Sequence, residues 1–75
     1  MKDLVKTIVM NLVDKEDKVI VKEVQGNFTD IIEVSADKED IGKIIGKQGN
    51  TAKAIRTIMK ATAKKQGKKY ILNIN

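Results

Sequence analysis

Between residues 41 and 56 the chain reads I-G-K-I-I-G-K-Q-G-N-T-A-K-A-I-R, with Gly46-Lys47-Gln48-Gly49 set between two segments of helix-like apolar spacing. Two glycines three residues apart let a backbone turn sharply without a Cβ penalty and leave room for another backbone to come close. If a helix starts just beyond Gly49, its free N–H groups and its dipole add partial positive charge where Lys43, Lys47 and Lys53 already supply cations. Such a corner suits a phosphodiester backbone. Four residues of this kind also form ordinary turns between helices, so the weight falls on the apolar spacing, the charge distribution and the order of elements around them.

Seventy-five residues predict one small domain with a core just large enough to be stable. A hydrophobic fraction of 41% with 33% charged residues is that of a globular protein and not of a disordered chain. No apolar run approaches the ~18 residues a membrane span requires, and the start Met-Lys-Asp-Leu is too amphipathic for a signal peptide. A cytoplasmic protein without membrane contact is expected. The chain has no Cys and no His, which removes disulfides, thiolate nucleophiles, the usual zinc ligands and Cys/His or Ser/His catalysis. The only Ser is Ser35, mid-strand, and a carboxylate or Lys base would need a cleft that so small a chain scarcely has room to form. No catalytic residue, metal site or cofactor is expected. The net charge of +5 is uneven: residues 1–36 hold five Lys against seven acids, a net −2, while residues 37–75 hold ten Lys/Arg against three acids, a net +7. Basic charge therefore collects on the half that contains the glycine loop.

Residues 2–13 space Leu4, Ile8 and Leu12 four apart, with Val5 and Val9 beside them, which predicts an amphipathic helix packed on a sheet. Val19–Val24 and Phe28–Ala36 are rich in β-branched residues and read as strands. Between them Gln25-Gly26-Asn27, residues that tolerate positive φ, predicts a tight hairpin. In the second strand Ile32, Val34 and Ala36 share the face that should meet helices. Asp37 is placed to cap a helix of about two turns, with Glu39 and Asp40 in its first turn, and Gly46 is expected to end it in a left-handed conformation. Asn50 or Thr51 can cap a longer helix reaching Lys65 or Gln66, with Ala52, Ile55, Met59 and Thr62 or Ala63 on one stripe and Lys53, Arg56, Lys60 and Lys64 mostly off it. Gly67 ends that helix, and Tyr70, Leu72 and Ile74 alternate with Ile71 and Asn73 as a last strand. The expected fold is α+β: a three-stranded sheet covered on one face by three helices.

The run Ile41–Gly49 resembles the I-G-x-x-G core of a KH domain, and the element order is similar to the prokaryotic type II arrangement. With the flanks Ala36–Asp40 and Asn50–Thr57, the chain resembles the small single-domain bacterial KH proteins of the KhpA (YlqC) family over nearly all of residues 1–75. The resemblance implies a single KH domain that binds RNA, often as a homodimer, and acts with a KH protein of the KhpB (Jag) type in RNA fate and cell-envelope growth. It also implies that Gly46, Lys47, Gln48 and Gly49, with Gly42 before them, contact roughly four nucleotides of single-stranded nucleic acid, and that Ile41, Ile44, Ile45 and Ile55 floor the groove that receives the bases. Two departures stand out. Ala52 replaces a larger aliphatic residue of many eukaryotic-type KH motifs, and the hairpin Gln25–Asn27, matched to the family's variable loop, is very short, so weak sequence discrimination is expected.

Lys43, Lys47, Lys53 and Arg56 together form a candidate phosphate track, which predicts salt-sensitive, permissive binding. Ile58 and Met59 are a candidate dimer seam. Single-stranded RNA, single-stranded DNA, and a protein-interaction module for which RNA is secondary all remain compatible with the residues, whereas duplex DNA fits poorly because a loop between helices packed on a sheet better suits a splayed single strand.

Overall fold

The chain folds as α1 (Lys2–Met10), β1 (Ile20–Val24), β2 (Thr29–Ser35), α2 (Lys38–Ile45), α3 (Asn50–Gln66) and β3 (Lys69–Ile74) in a computed structural model that describes residues 1–75. Strands β1 and β2 pair antiparallel, with Val24 opposite Ile31 and Ile20 opposite Ser35. The crossover through α2 and α3 returns the chain to the starting end of β2, so β3 pairs parallel to it, Thr29 opposite Lys69. The order β1-β2-β3 makes a mixed sheet with β3 at one edge. This is the type II KH-like α+β fold that the element order predicts.

The core lies between one face of the sheet and the three helices. Val21, Ile32, Val34 and Leu72 from the strands meet Val5 and Val9 of α1, Ile44 of α2, and Ile55 and Met59 of α3. Each such side chain contributes about 1.5–3 kcal/mol when fully buried. Ile32 and Val34 are inward as expected, and Ala36 is half-buried beside them. Ala52, Ile55, Met59 and Ala63 give α3 its buried stripe, with Ala63 and not Thr62 at the last position.

Three local expectations need correction. Helix α1 stops at Met10, three residues early, where Asn11 and Leu12 bond back three residues to Ile8 and Val9. This tightened turn brings Val13 into the core. The helix also buries Val5 and Val9 completely while Leu4 stays exposed, a rotation toward the smaller side chains, which permit a closer approach to the sheet. The hairpin is not tight: residues 25–30 separate the paired Val24 and Ile31, and Gly26 does not take positive φ. Its lack of a Cβ matters because that atom would collide with the Thr29 carbonyl oxygen.

Two acids are buried: Asp30, which the sequence reading left unassigned, and Asp40, which it placed only in the first turn of α2. Asp30 accepts from the Gly26 N–H at 3.1 Å and from Lys68 Nζ at 3.1 Å, tying the hairpin to the start of β3. Asp40 accepts from the N–H groups of Lys15 at 3.0 Å and Asp14 at 3.3 Å, tying the α1–β1 connection to α2. The Gly26 N–H and the Lys15 N–H are the main reasons the two carboxyls titrate below their ordinary range. Asp40 thereby fixes the helix that carries the glycine loop.

Candidate nucleic-acid interface

Helix α2 begins as expected, Asp37 accepting from the Glu39 N–H at 3.0 Å. It ends where the Gly46 N–H closes on the Gly42 carbonyl at 2.8 Å. Gly46 has positive φ, but with φ 77° and ψ 176° it is extended and not left-handed helical, a region essentially restricted to glycine. A Cβ there would also lie 2.6 Å from Thr51 Cβ and 2.9 Å from Thr51 N. Lys47–Gly49 form a single 3-10 turn in which Gln48 (φ 57°, ψ 26°) is left-handed, and Gly49 (φ 76°, ψ 11°) follows it in the same conformation. Within this turn the Gly49 N–H bonds the Gly46 carbonyl at 3.2 Å and the Asn50 N–H bonds the Lys47 carbonyl, which fixes the corner.

Neither Asn50 nor Thr51 caps α3, contrary to expectation. Gly49 occupies the cap position, and no side chain accepts from the first N–H groups. Gly49 already turns the chain into the helix, while Thr51 packs beneath Gly46. The 17-residue helix thus points an uncapped N-terminus at the loop.

Of the four expected cations, Lys47, Lys53 and Arg56 are exposed and make none of the ion pairs. Lys43 is different. Its ammonium is bound by Asp14 and lies 3.5 Å from Asp40, and the hydrogen bond to Asp14 holds its pKa above the usual lysine value. In the free protein two carboxylates share it, an arrangement invisible to a count of charges because Asp14 lies 29 residues away.

The isoleucines divide. Ile44 and Ile55 are sealed in the core and support the groove from beneath without presenting surface; Ile41 is half-buried and Ile45 is 38% exposed at the end of α2. Met59 is likewise core, which removes it from the expected seam, whereas Ile58 is 43% exposed. Gly42 is exposed in the middle of α2, and a Cβ built on it meets nothing within 4 Å.

The structure adds a groove that the sequence reading did not assemble. A concavity of about 680 Å³ runs between α3 and the edge strand β3, lined by Arg56, Lys60 and Lys64 from the helix and Lys68, Lys69, Tyr70 and Ile71 from the strand side, with Met59 and Leu72 beneath. No carboxylate lines it. Alternate backbone groups of an edge strand face away from its neighbour and are free to bond a partner. The spacing Arg56, Lys60, Lys64 was a legible signal; the opposing strand wall was not.

The hairpin Gln25–Asn27 is not the loop that borders this groove. The Lys69 N–H donates to the Phe28 carbonyl at 3.3 Å, so the hairpin sits at the C-terminal end of α3, about 25 Å from the glycine loop at 1.5 Å per residue. It therefore cannot wall a groove beside that loop. The connection bordering the groove is Gly67-Lys68, between α3 and β3. Being only two residues long, it leaves that wall low.

The chain matches the KhpA/KhpB KH-domain family over residues 2–74. It belongs to that family. It is 51% identical over 74 residues to the RNA-binding protein KhpA of Clostridium perfringens, covering 99% of each chain. To the proteins of the same name from Chlamydia caviae and Aquifex aeolicus it is 50% and 46% identical, covering 99% of this chain and 95% and 94% of theirs. No solved structure matches it significantly. No helix is long and apolar enough to cross a membrane, and no group of three or more acids is placed to hold a metal ion.

Proposed function

We propose that this KH domain is a non-catalytic module that holds single-stranded RNA by its backbone, with Gly46, Lys47, Gln48 and Gly49 as the clamp. The observation that carries this reading is the loop itself: three of its four residues have positive φ, and it leads into a long helix with no side-chain cap. The Gly46, Gly49 and Asn50 N–H groups are spent on nearby carbonyls, so a phosphate seated there meets the dipole of α3 and the unpaired Lys47. Lys53 and Arg56 extend the track, Gly42 leaves bare backbone one turn before the loop, and Ile41 and Ile45 offer apolar contact to bases. The relatives' name, RNA-binding protein, supports the same reading. Phosphate contact with little base readout gives permissive recognition and micromolar affinity, about −8 kcal/mol.

A second reading, a dimer or a complex with a KhpB (Jag)-type partner, is favoured by Ile58. At 100° per residue it lies about 160° around α3 from Lys60, so a protein bound at Ile58 leaves the basic flank free. RNA binding and assembly are then compatible, in keeping with a role in RNA fate and cell-envelope growth. The decisive test is anisotropy of a short unstructured RNA with the natural protein and with Lys47→Asp/Gln48→Asp. Asp tolerates the left-handed conformation of Gln48, so the variant should fold and lose binding. Undiminished binding would sink the clamp, and a protein that binds only its partner would leave the second reading standing alone.

A further inference from the structure

The groove continues well past the loop, and its far end holds the chain's only Tyr. Tyr70 lies on the same strand face as Leu72, yet it is only half-buried where Leu72 is core. Its hydroxyl donates to Gln66 Oε1 at 2.8 Å. That bond fixes the phenol end against the last residue of α3; the half-buried ring packs against the core on one side and lines the groove with the remainder. Arg56, Lys60 and Lys64, four residues apart, place cations about every 6 Å along the helix between the loop and this ring. Lys69 adds charge from the opposite wall. Lys68 is committed to Asp30 and is not counted.

We infer that Tyr70 is a stacking platform for a base, and that a single strand held at Gly46–Gly49 runs on along α3 to reach it. The inference rests on the nucleic-acid reading of the loop and extends it: the bound segment is longer than four nucleotides, and its distal end is held by an aromatic face and not by the loop. A ring already tethered through its hydroxyl loses little freedom when a base stacks on it, and every base has a face to stack. A groove with four unpaired cations and no carboxylate along its walls fits a polyanion.

The chain has one Tyr and no Trp, so its tyrosine emission reports Tyr70 alone. Oligouridines of four and of ten nucleotides are titrated against the natural protein, Tyr70→Leu, Tyr70→Phe and Lys60→Gln/Lys64→Gln, following anisotropy and, wherever Tyr70 is present, its emission. The longer RNA should bind the natural protein at least tenfold more tightly than the shorter and quench the emission, while the shorter leaves it unchanged. Tyr70→Leu should lower affinity for the longer RNA about tenfold, the effect of losing one stacked base, without altering the shorter. Tyr70→Phe should retain the advantage, and the double Gln variant should lose most of it. Decathymidine should behave as the longer RNA does, since stacking does not use the 2′-hydroxyl. Equal affinity for the two lengths, or a length advantage with unquenched emission that survives Tyr70→Leu, would overturn the inference while leaving the loop's role intact. Failure to bind either RNA would overturn both.

Discussion

Replacing Gly42 by alanine separates what the fold requires from what the proposed interface requires. Gly42 sits in the exposed interior of α2 without positive φ, and no atom lies within 4 Å of the Cβ that alanine would add. Only helix propensity then acts on the free protein, favouring alanine by about 0.8–1.0 kcal/mol. In a domain of this size each kcal/mol moves Tm by about 4–8 °C, so Gly42→Ala should melt about 3–8 °C higher by far-UV circular dichroism. Binding should move the other way. The Gly42 carbonyl holds the Gly46 N–H, so bare backbone at Gly42 adjoins the loop, and a methyl projecting there keeps a sugar–phosphate chain at a distance. RNA affinity should fall about tenfold, some 1.4 kcal/mol. A lower Tm would refute the spatial argument, and unchanged affinity would take Gly42 out of the interface.

Gly46→Ala should be the more damaging of two loop substitutions, by about 1–3 kcal/mol for its backbone region alone plus the collision with Thr51; Gly49→Ala, with open space around it, should cost about 1–2 kcal/mol, and urea unfolding gives the order. Asp30 and Asp40 have folded pKa values below their unfolded value of 3.8, so their stabilisation is complete above that value and is lost as pH falls through the lowered ones. Melting followed from pH 5 to pH 2 should fall more steeply for the natural protein than for Asp30→Asn/Asp40→Asn, and parallel profiles would contradict the assignment. Ile58→Ala should change stability by less than about 0.5 kcal/mol yet weaken self-association or partner binding in sedimentation, whereas an unchanged assembly state would dismiss the seam.

What the sequence made legible was the architecture and the loop, because both are written in local spacing. Ile32 and Val34 declare a strand face, Ala52, Ile55 and Met59 a helix stripe, and Gly46-Lys47-Gln48-Gly49 a corner. Features that depend on distant partners were not legible. Lys43 looks like a free cation until Asp14 is brought to it, and Asp30 and Asp40 look like surface acids until backbone N–H groups from other elements point at them. Tyr70 gains its place in a groove only once β3 is known to be an edge strand facing α3. The resemblance to known KH domains brought in the idea of a groove floor, but burial alone decides that Ile44 and Ile55 lie beneath it and not in it.

The most direct test of the backbone clamp is the salt dependence of RNA binding by the natural protein and by Lys47→Asp/Gln48→Asp. For a single strand, log K falls against log salt with a slope of about −0.7 for each phosphate neutralised. If Lys47, Lys53 and Arg56 each engage one phosphate of a four-nucleotide RNA, the natural protein should give a slope near −2, and the variant should bind too weakly to measure while melting as a folded protein. A shallow slope near zero, or a variant that binds with the same slope and affinity, would contradict the clamp and leave the glycine loop a corner of the fold.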